Sequence, residues 1–297
     1  FNIEMNPGLF YLNVCKGKSA ARVTDTLTGF INYSFEQELD AIKMGIGKKD
    51  ASHFFITAMR FEDEDVQRID TVNNVPLTPT ENYIVGTDVV LSLFGEALKV
   101  GGEANLSLLN RDKNAGGAIF PMDSSVTDIA PAFVLDRLNA SSSIGYAVSG
   151  YSTLSMFNGA TVLDGKLTQV GPGYFTNGNT AILNDLRKVN IKLNQNLVKD
   201  KLSINAFYNE NENALVPSAS LTRNTFSNYG AGVQLNTTKF FLIANYSPNY
   251  QVNKSLETNQ SSSTKSALIQ GQMGVSLKFG ENGLSNTQFG YLQQLAS

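Results

Sequence analysis

His53 is the only histidine in the 297 residues, so any imidazole chemistry runs through the stretch KKDASHFF that holds it. Ser52, Asp50 and Asp40 lie close by in the chain, the ingredients of a Ser/His or Asp/His hydrolytic site. If the stretch is extended, however, neighbouring residues point to opposite faces and Ser52 is a poor partner. A histidine at a turn or an interface is the plainer reading. Cys15 is the only thiol, which excludes an internal disulfide and, with no second thiol or histidine beside it, a thiolate metal site. It reads as a small packing residue.

The run Glu62, Asp63, Glu64, Asp65 offers carboxylate oxygens to a hard cation, either calcium or an ion bridging lipopolysaccharide. It lacks the D-x-D-x-D-G spacing of a calcium loop, so a solvated loop is expected. Gly171-Pro172-Gly173 has no Lys-Ser/Thr after it and reads as a backbone bend. No catalytic, cofactor or metal site is therefore expected, and the chain reads as non-enzymatic. What remains is a sparse set of charges that alternation places on the wet faces of strands: Lys43, Asp88, Glu103, Lys192 and Lys278.

The elements that carry them show a period of two. In VNIKLNQNLVKDKLSINAFY (189–208), Val189, Ile191, Leu193 and Leu197 alternate with Asn190, Lys192, Asn194 and Asn196. After Val198 to Lys201 the pattern resumes with Leu202, Ile204, Ala206 and Tyr208, which is a β-hairpin. IQGQMGVSLKF (269–279) puts Ile269, Met273, Val275, Leu277 and Phe279 opposite Gln270, Gln272, Ser276 and Lys278. Ile42, Met44 and Ile46 face away from Lys43, Gly45 and Gly47. Ala104, Leu106 and Leu108 face away from Glu103, Asn105 and Ser107. Phe10, Leu12 and Val14 alternate with Tyr11, Asn13 and Cys15; runs at 144–154 and 240–246 behave alike.

Tight connections (Lys48-Lys49-Asp50, LFGEAL around Gly95, Val198 to Lys201, Thr237-Thr238) alternate with long polar ones at 62–80, 112–139, 171–187, 210–226 and 247–266. In an up-and-down meander this collects the tight turns at one end and the long loops at the other, as in outer-membrane barrels. The pattern predicts a single all-β domain over 1–297, an antiparallel up-and-down transmembrane β-barrel of about 12–14 strands. Residues 128–138 and 179–188 have helix-compatible spacing and could fold inward as a constriction or plug. The most apolar stretch, 89–100, is broken by Glu96 and Lys99 and is too short for a spanning helix.

Composition agrees. Only 16% of the residues are charged, well under the usual quarter, and the wet faces carry Asn, Gln, Ser, Thr and Gly in place of Lys and Glu. A net charge of -3, from 23 basic and 26 acidic residues, leaves no basic footprint for nucleic acid. Aromatic residues gather near strand ends (Tyr33 and Phe35, Phe54 and Phe55, Phe157, Tyr174 and Phe175, Phe207 and Tyr208, Tyr246), as interfacial girdles do. A soluble β-sandwich or surface adhesin, with its apolar faces packed on each other, is the alternative.

The segment TQVGPGYFTNGNTAILNDLRKVNIKLNQNLVKDKLSINAFYNENEN, with its VGPGY loop and N-Q-x-L hairpin, resembles the barrel region of uncharacterised outer-membrane proteins of the Bacteroidota. ENYIVGTDVVLSLFGEALKVGGEANLSLLNRD is similar to an earlier strand pair of the same barrels. The resemblance covers about half of the chain and implies a fold and a compartment, the outer membrane of a Gram-negative envelope, but no reaction. It departs at Gln294-Leu295-Ala296-Ser297, where such barrels finish on an aromatic residue, so a longer parent chain is expected. Lipid, lipopolysaccharide and other envelope proteins are the expected partners. Two roles stay open: a barrel subunit or scaffold of an envelope assembly for secretion or protein insertion, or a porin-like channel for neutral or apolar solutes.

Overall fold

A computed structural model describes residues 1–20, 35–49, 51–65, 68–70, 75–116, 137–177, 184–198, 201–215, 222–237, 239–279 and 283–296. Its strands are β1 (Asn2–Met5), β2 (Phe10–Ala20), β3 (Gln37–Gly47), β4 (His53–Asp63), β5 (Arg68–Asp70), β6 (Val75–Leu77), β7 (Glu81–Leu93) and β8 (Leu98–Asn110). They continue as β9 (Ser142–Met156), β10 (Thr161–Val170), β11 (Leu186–Val198), β12 (Leu202–Asn213), β13 (Thr222–Asn236), β14 (Phe240–Ser255), β15 (Ser261–Phe279) and β16 (Gly283–Ala296). Fourteen of them form one sheet in sequence order, with β5 and β6 set aside as a two-stranded hairpin. The described residues contain no helix. The fold is therefore the all-β up-and-down meander that the alternation predicts.

The chain divides into two compact units. Unit 1 holds Phe1–Val90, Glu103–Val148 and Gly173–Asn184; unit 2 holds Leu91–Gly102, Ser149–Pro172 and Asp185–Ser297.

In unit 1 the register fixes the faces. Phe10, Leu12 and Val14 of β2 lie opposite Ile46, Met44 and Ile42 of β3. Those residues pair with Phe54, Ile56 and Ala58 of β4, and β4 in turn with Val89, Thr87 and Val85 of β7. This face is apolar, and Phe10, Met44, Ile46, Phe54 and Ile56 are exposed on it. Towards the long-loop end it becomes charged, with Lys16 bonded to Asp40 at 3.1 Å and Arg60 to Glu81 at 2.9 Å. The opposite face carries Tyr11, Asn13, Lys43, Phe55, Thr57, Asn82 and Asp88.

Unit 2 repeats the division. Leu163 and Leu193, Ile204 and Val233, and Leu242 and Met273 are facing pairs on an apolar surface. On the other face two amide rows cross five strands. One is Asn194, Asn205, Gly232, Asn245 and Gln270; the other is Asn190, Asn209, Asn228, Asn249 and Ser266. Asn228 donates to Ser247 Oγ at 3.0 Å and to Asn249 Oδ1.

Short and long connections alternate as expected as far as β14, but the β14–β15 link, residues 256–260, is as short as the β3–β4 turn; the turns after β7 and β9 use left-handed backbone. Phe94, Gly95 and Glu96 join β7 to β8 with positive φ, and Phe157, Asn158 and Gly159 join β9 to β10 in the same way. Gly47 (φ +102) admits the β3–β4 turn, because a Cβ there would stand 2.2 Å from the Ser52 carbonyl.

Three expectations need correction. The stretches 210–226 and 247–266 are mostly strand: β12 runs to Asn213 and β13 starts at Thr222, while β14 runs to Ser255 and β15 starts at Ser261. Their alternation is of polar with weakly apolar residues, Asn249, Gln251 and Asn253 against Pro248, Tyr250 and Val252, so the ladder continues without the usual hydrophobic signal. Within 179–188, residues 186–188 open β11, and 179–183 fall outside the described residues, as does 128–136. Tyr33 and Asp50 also fall outside them.

Candidate functional site

The β3–β4 turn delivers His53 to the face of unit 1 that carries Lys43 and Asp88. His53 Nδ1 lies 2.9 Å from the Ala51 carbonyl and 3.2 Å from that of Lys48, so this nitrogen holds the hydrogen and caps the turn. Nε2 stands 3.2 Å from Asp88 Oδ2 but off the line that a hydrogen bond needs. Lys43 Nζ donates to the same carboxylate oxygen at 3.2 Å. Phe55 is the centre of the group. Its ring stacks on His53 at 4.2 Å, meets Tyr11 at 4.7 Å and lies 4.9 Å under Lys43 Nζ. Gly45 makes room for it, since a Cβ there would come within 2.8 Å of Phe55 Cδ1.

Two of the charges read from the sequence are thus an ion pair. The others are placed separately. Glu103 is on β8, on the face shared with Asn105, whose Oδ1 closes over Gly86 of β7. Lys192 of β11 lies in unit 2 opposite Asp164 of β10, which accepts from Thr153 Oγ1 at 2.7 Å. The backbone of Lys278 lies in β15; its side chain is outside the described residues. Asp40, close to His53 in the sequence, is on the opposite face and pairs with Lys16.

The acidic run is occupied by protein donors. Alternation splits it, sending Glu62 to Arg60 at 2.5 Å and Lys113 at 3.3 Å. Asp63 instead accepts from Gln37 at 2.9 Å, the Thr80 amide at 2.8 Å and the Thr80 hydroxyl at 2.7 Å. Asp65 accepts from Asn114 at 2.9 Å.

Residues 173–177 are a feature that sequence reading only touched. After the Gly171-Pro172-Gly173 bend, this segment lies across the face of β9, β8 and β7 in unit 1. Ser107 Oγ donates to the Phe175 carbonyl, Asn82 Nδ2 approaches the same oxygen at 3.4 Å, and the Asn177 amide reaches Asn82 Oδ1 at 3.4 Å. Asn82 and Ser107 are fully buried, and Tyr174 is 5% exposed. A Cβ on Gly145 would lie 1.9 Å from the Tyr174 amide nitrogen, and one on Gly173 2.3 Å from the Ile144 carbonyl. Burial pushes the Tyr174 phenol above its ordinary pKa, and the Glu103 carboxylate adds to the shift. The paired glycines and the buried Asn and Ser were the available signal.

These contacts hold a segment against a polar face; among the described residues, no three His, Cys, Asp or Glu side chains gather as metal ligands. No protein-family model, curated protein or solved structure matches the chain.

Proposed function

We propose that this chain is a non-enzymatic β-barrel protein of a Gram-negative outer membrane, of the kind its sequence resembles in the Bacteroidota, acting as a barrel subunit or scaffold of an envelope assembly. The observation that carries the membrane reading is the chemistry of the two faces. In each unit, one face of the meander exposes Phe, Ile, Leu and Met side chains over successive strands; the other carries amides, hydroxyls and paired charges, in unit 1 together with the buried side chains of Phe55, Phe61, Ile84 and Val90. Exposed apolar surface on that scale suits lipid and is unfavourable in water. The strands between β1 and β16 pair on both sides with their neighbours in the sheet, which satisfies their backbone as a lipid environment demands.

The scaffold role is supported by the segment 173–177, which occupies the polar face of unit 1 and is fixed there by buried donors. A barrel filled in this way is a rigid platform more readily than an open pore. The amide rows of unit 2 favour a second reading, a channel for neutral solutes, since uncharged donors and acceptors can replace the hydration of such a solute without a strong field.

Purification from membranes followed by recording in planar bilayers separates the readings. Detergent dependence with a silent bilayer supports the scaffold. Steady single-channel steps overturn it in favour of the channel, and solubility without detergent overturns the membrane reading altogether.

A further inference from the structure

The apolar face of unit 2 is interrupted by a groove of about 620 Å³. Its walls are four tyrosines, Tyr208, Tyr229, Tyr246 and Tyr250, and Tyr229 and Tyr246 are half exposed. Its floor is made of small side chains: Ser227 lies opposite Tyr250, and Pro248 opposite Ala267. Large rings around small residues on one sheet face leave a depression by geometry alone.

One cation borders it. Lys265 lies opposite Tyr250, its Nζ 5.4 Å from the ring centroid, and the side chain is otherwise exposed. Among the described residues, no carboxylate lines the groove. Glu210 of β12 lies opposite Ser227 at its border and already accepts the Tyr208 hydroxyl at 2.6 Å.

The groove also lies at a chemical boundary. Along β15, Val275, Met273 and Ile269 give way to Ala267, Lys265 and Ser263. Along β14, Phe240, Leu242 and Ala244 give way to Tyr246, Pro248, Tyr250 and Lys254. Tyrosines with lysine at such a transition are the chemistry of a membrane surface, where rings lie among headgroups and a cation meets phosphate.

We infer that this groove is a binding site for the phosphate-bearing headgroup of an anionic lipid, with Lys265 as the counter-charge and the tyrosine rings as its walls. This rests on the membrane reading above. A lipid fits better than free phosphate, because phosphate alone would leave the aromatic walls and the apolar floor uncovered.

The test uses the full chain in detergent, offered phosphatidylglycerol vesicles, phosphatidylcholine vesicles or inorganic phosphate. Vesicle co-flotation and thermal unfolding are the readouts. Three variants are compared: Lys265→Glu, Ala267→Phe, which fills the floor, and Lys239→Glu, which makes the same charge change at the β13–β14 turn. Lys265→Glu, which removes one positive charge and adds a negative one, is expected to lower the preference for phosphatidylglycerol at least about fivefold, Ala267→Phe to lower it by excluding the headgroup, and Lys239→Glu to leave it intact. Equal preference in all three variants, or none in the parent, overturns the site while flotation itself upholds the membrane reading. Displacement by millimolar phosphate also overturns it. Failure to float with either vesicle removes the membrane reading and the site with it.

Discussion

Ser107 of β8 donates its hydroxyl to the carbonyl of Phe175, 68 residues further along the chain, and both side chains that hold this carbonyl, Ser107 and Asn82, are fully buried. A peptide group gripped from two adjacent strands is pinned in a way that surface loops are not. Replacing Ser107 by Ala leaves the carbonyl with Asn82 alone and is expected to cost about 1–2 kcal/mol, read as a lower midpoint of thermal unfolding in detergent.

Gly145→Val acts on the same segment by volume, because the Tyr174 amide already occupies the space a side chain would need. The expected result is displacement of residues 173–177 with the strands still formed. A Tyr174→Cys reporter in a Cys15→Ser background checks it: thiol labelling should be slow while Gly145 is kept and fast once valine replaces it. Unchanged labelling would mean that the segment tolerates the added bulk.

The Lys43–Asp88 pair is partly buried, with side chains 35% and 22% exposed. Asp88→Asn removes the partner of Lys43 and the carboxylate facing His53, and should destabilise by about 1–2 kcal/mol in denaturant titrations. Combined with Lys43→Met, the loss should be smaller than the sum of the single losses, since the second change no longer breaks an intact pair.

Ile56 lies in mid-strand on the apolar face of unit 1, and Asn205 on the amide face of unit 2. Ile56→Lys should weaken insertion into liposomes by about 2–4 kcal/mol, the depth-dependent cost of a cation facing lipid, and Asn205→Lys should be tolerated. Equal folding yields for the two variants would contradict the assignment of faces.

Tyr174 links the segment to alkaline pH. Its pKa is raised in the fold, so the folded state favours the neutral phenol. Its contribution is complete below the ordinary tyrosine value of about 10 and is lost as pH climbs from there through the folded value. Unfolding followed between neutrality and strong alkali should show this loss, and Tyr174→Phe should remove that part of the profile.

Much of this architecture was legible because strands repeat every two residues. The hairpin at 189–208, the partition of Lys43 from Ile42 and Met44, and the alternation of short with long connections as far as β14 all follow from local pattern, and the strand pairing agrees with each. What escaped was what depends on register between distant strands. His53 meets Asp88 because β4 pairs with β7 after a long excursion, and the nearer Asp40 is turned away by its parity. The segment at 173–177 escaped for a similar reason. Its glycines mark a bend, but its landing site on Asn82 and Ser107 is written elsewhere in the chain.

β15 has 19 residues and its neighbour β14 has 16, joined through residues 256–260. At about 3.3 Å per residue and a tilt of about 45°, the longer strand climbs about 44 Å, whereas a barrel's lipid-facing band is about 25 Å tall. On the membrane reading, the upper part of this hairpin rises from the cell surface as a polar ribbon. It is therefore the place to insert an epitope tag: antibody staining of intact cells would then report surface orientation with the rest of the strand ladder undisturbed.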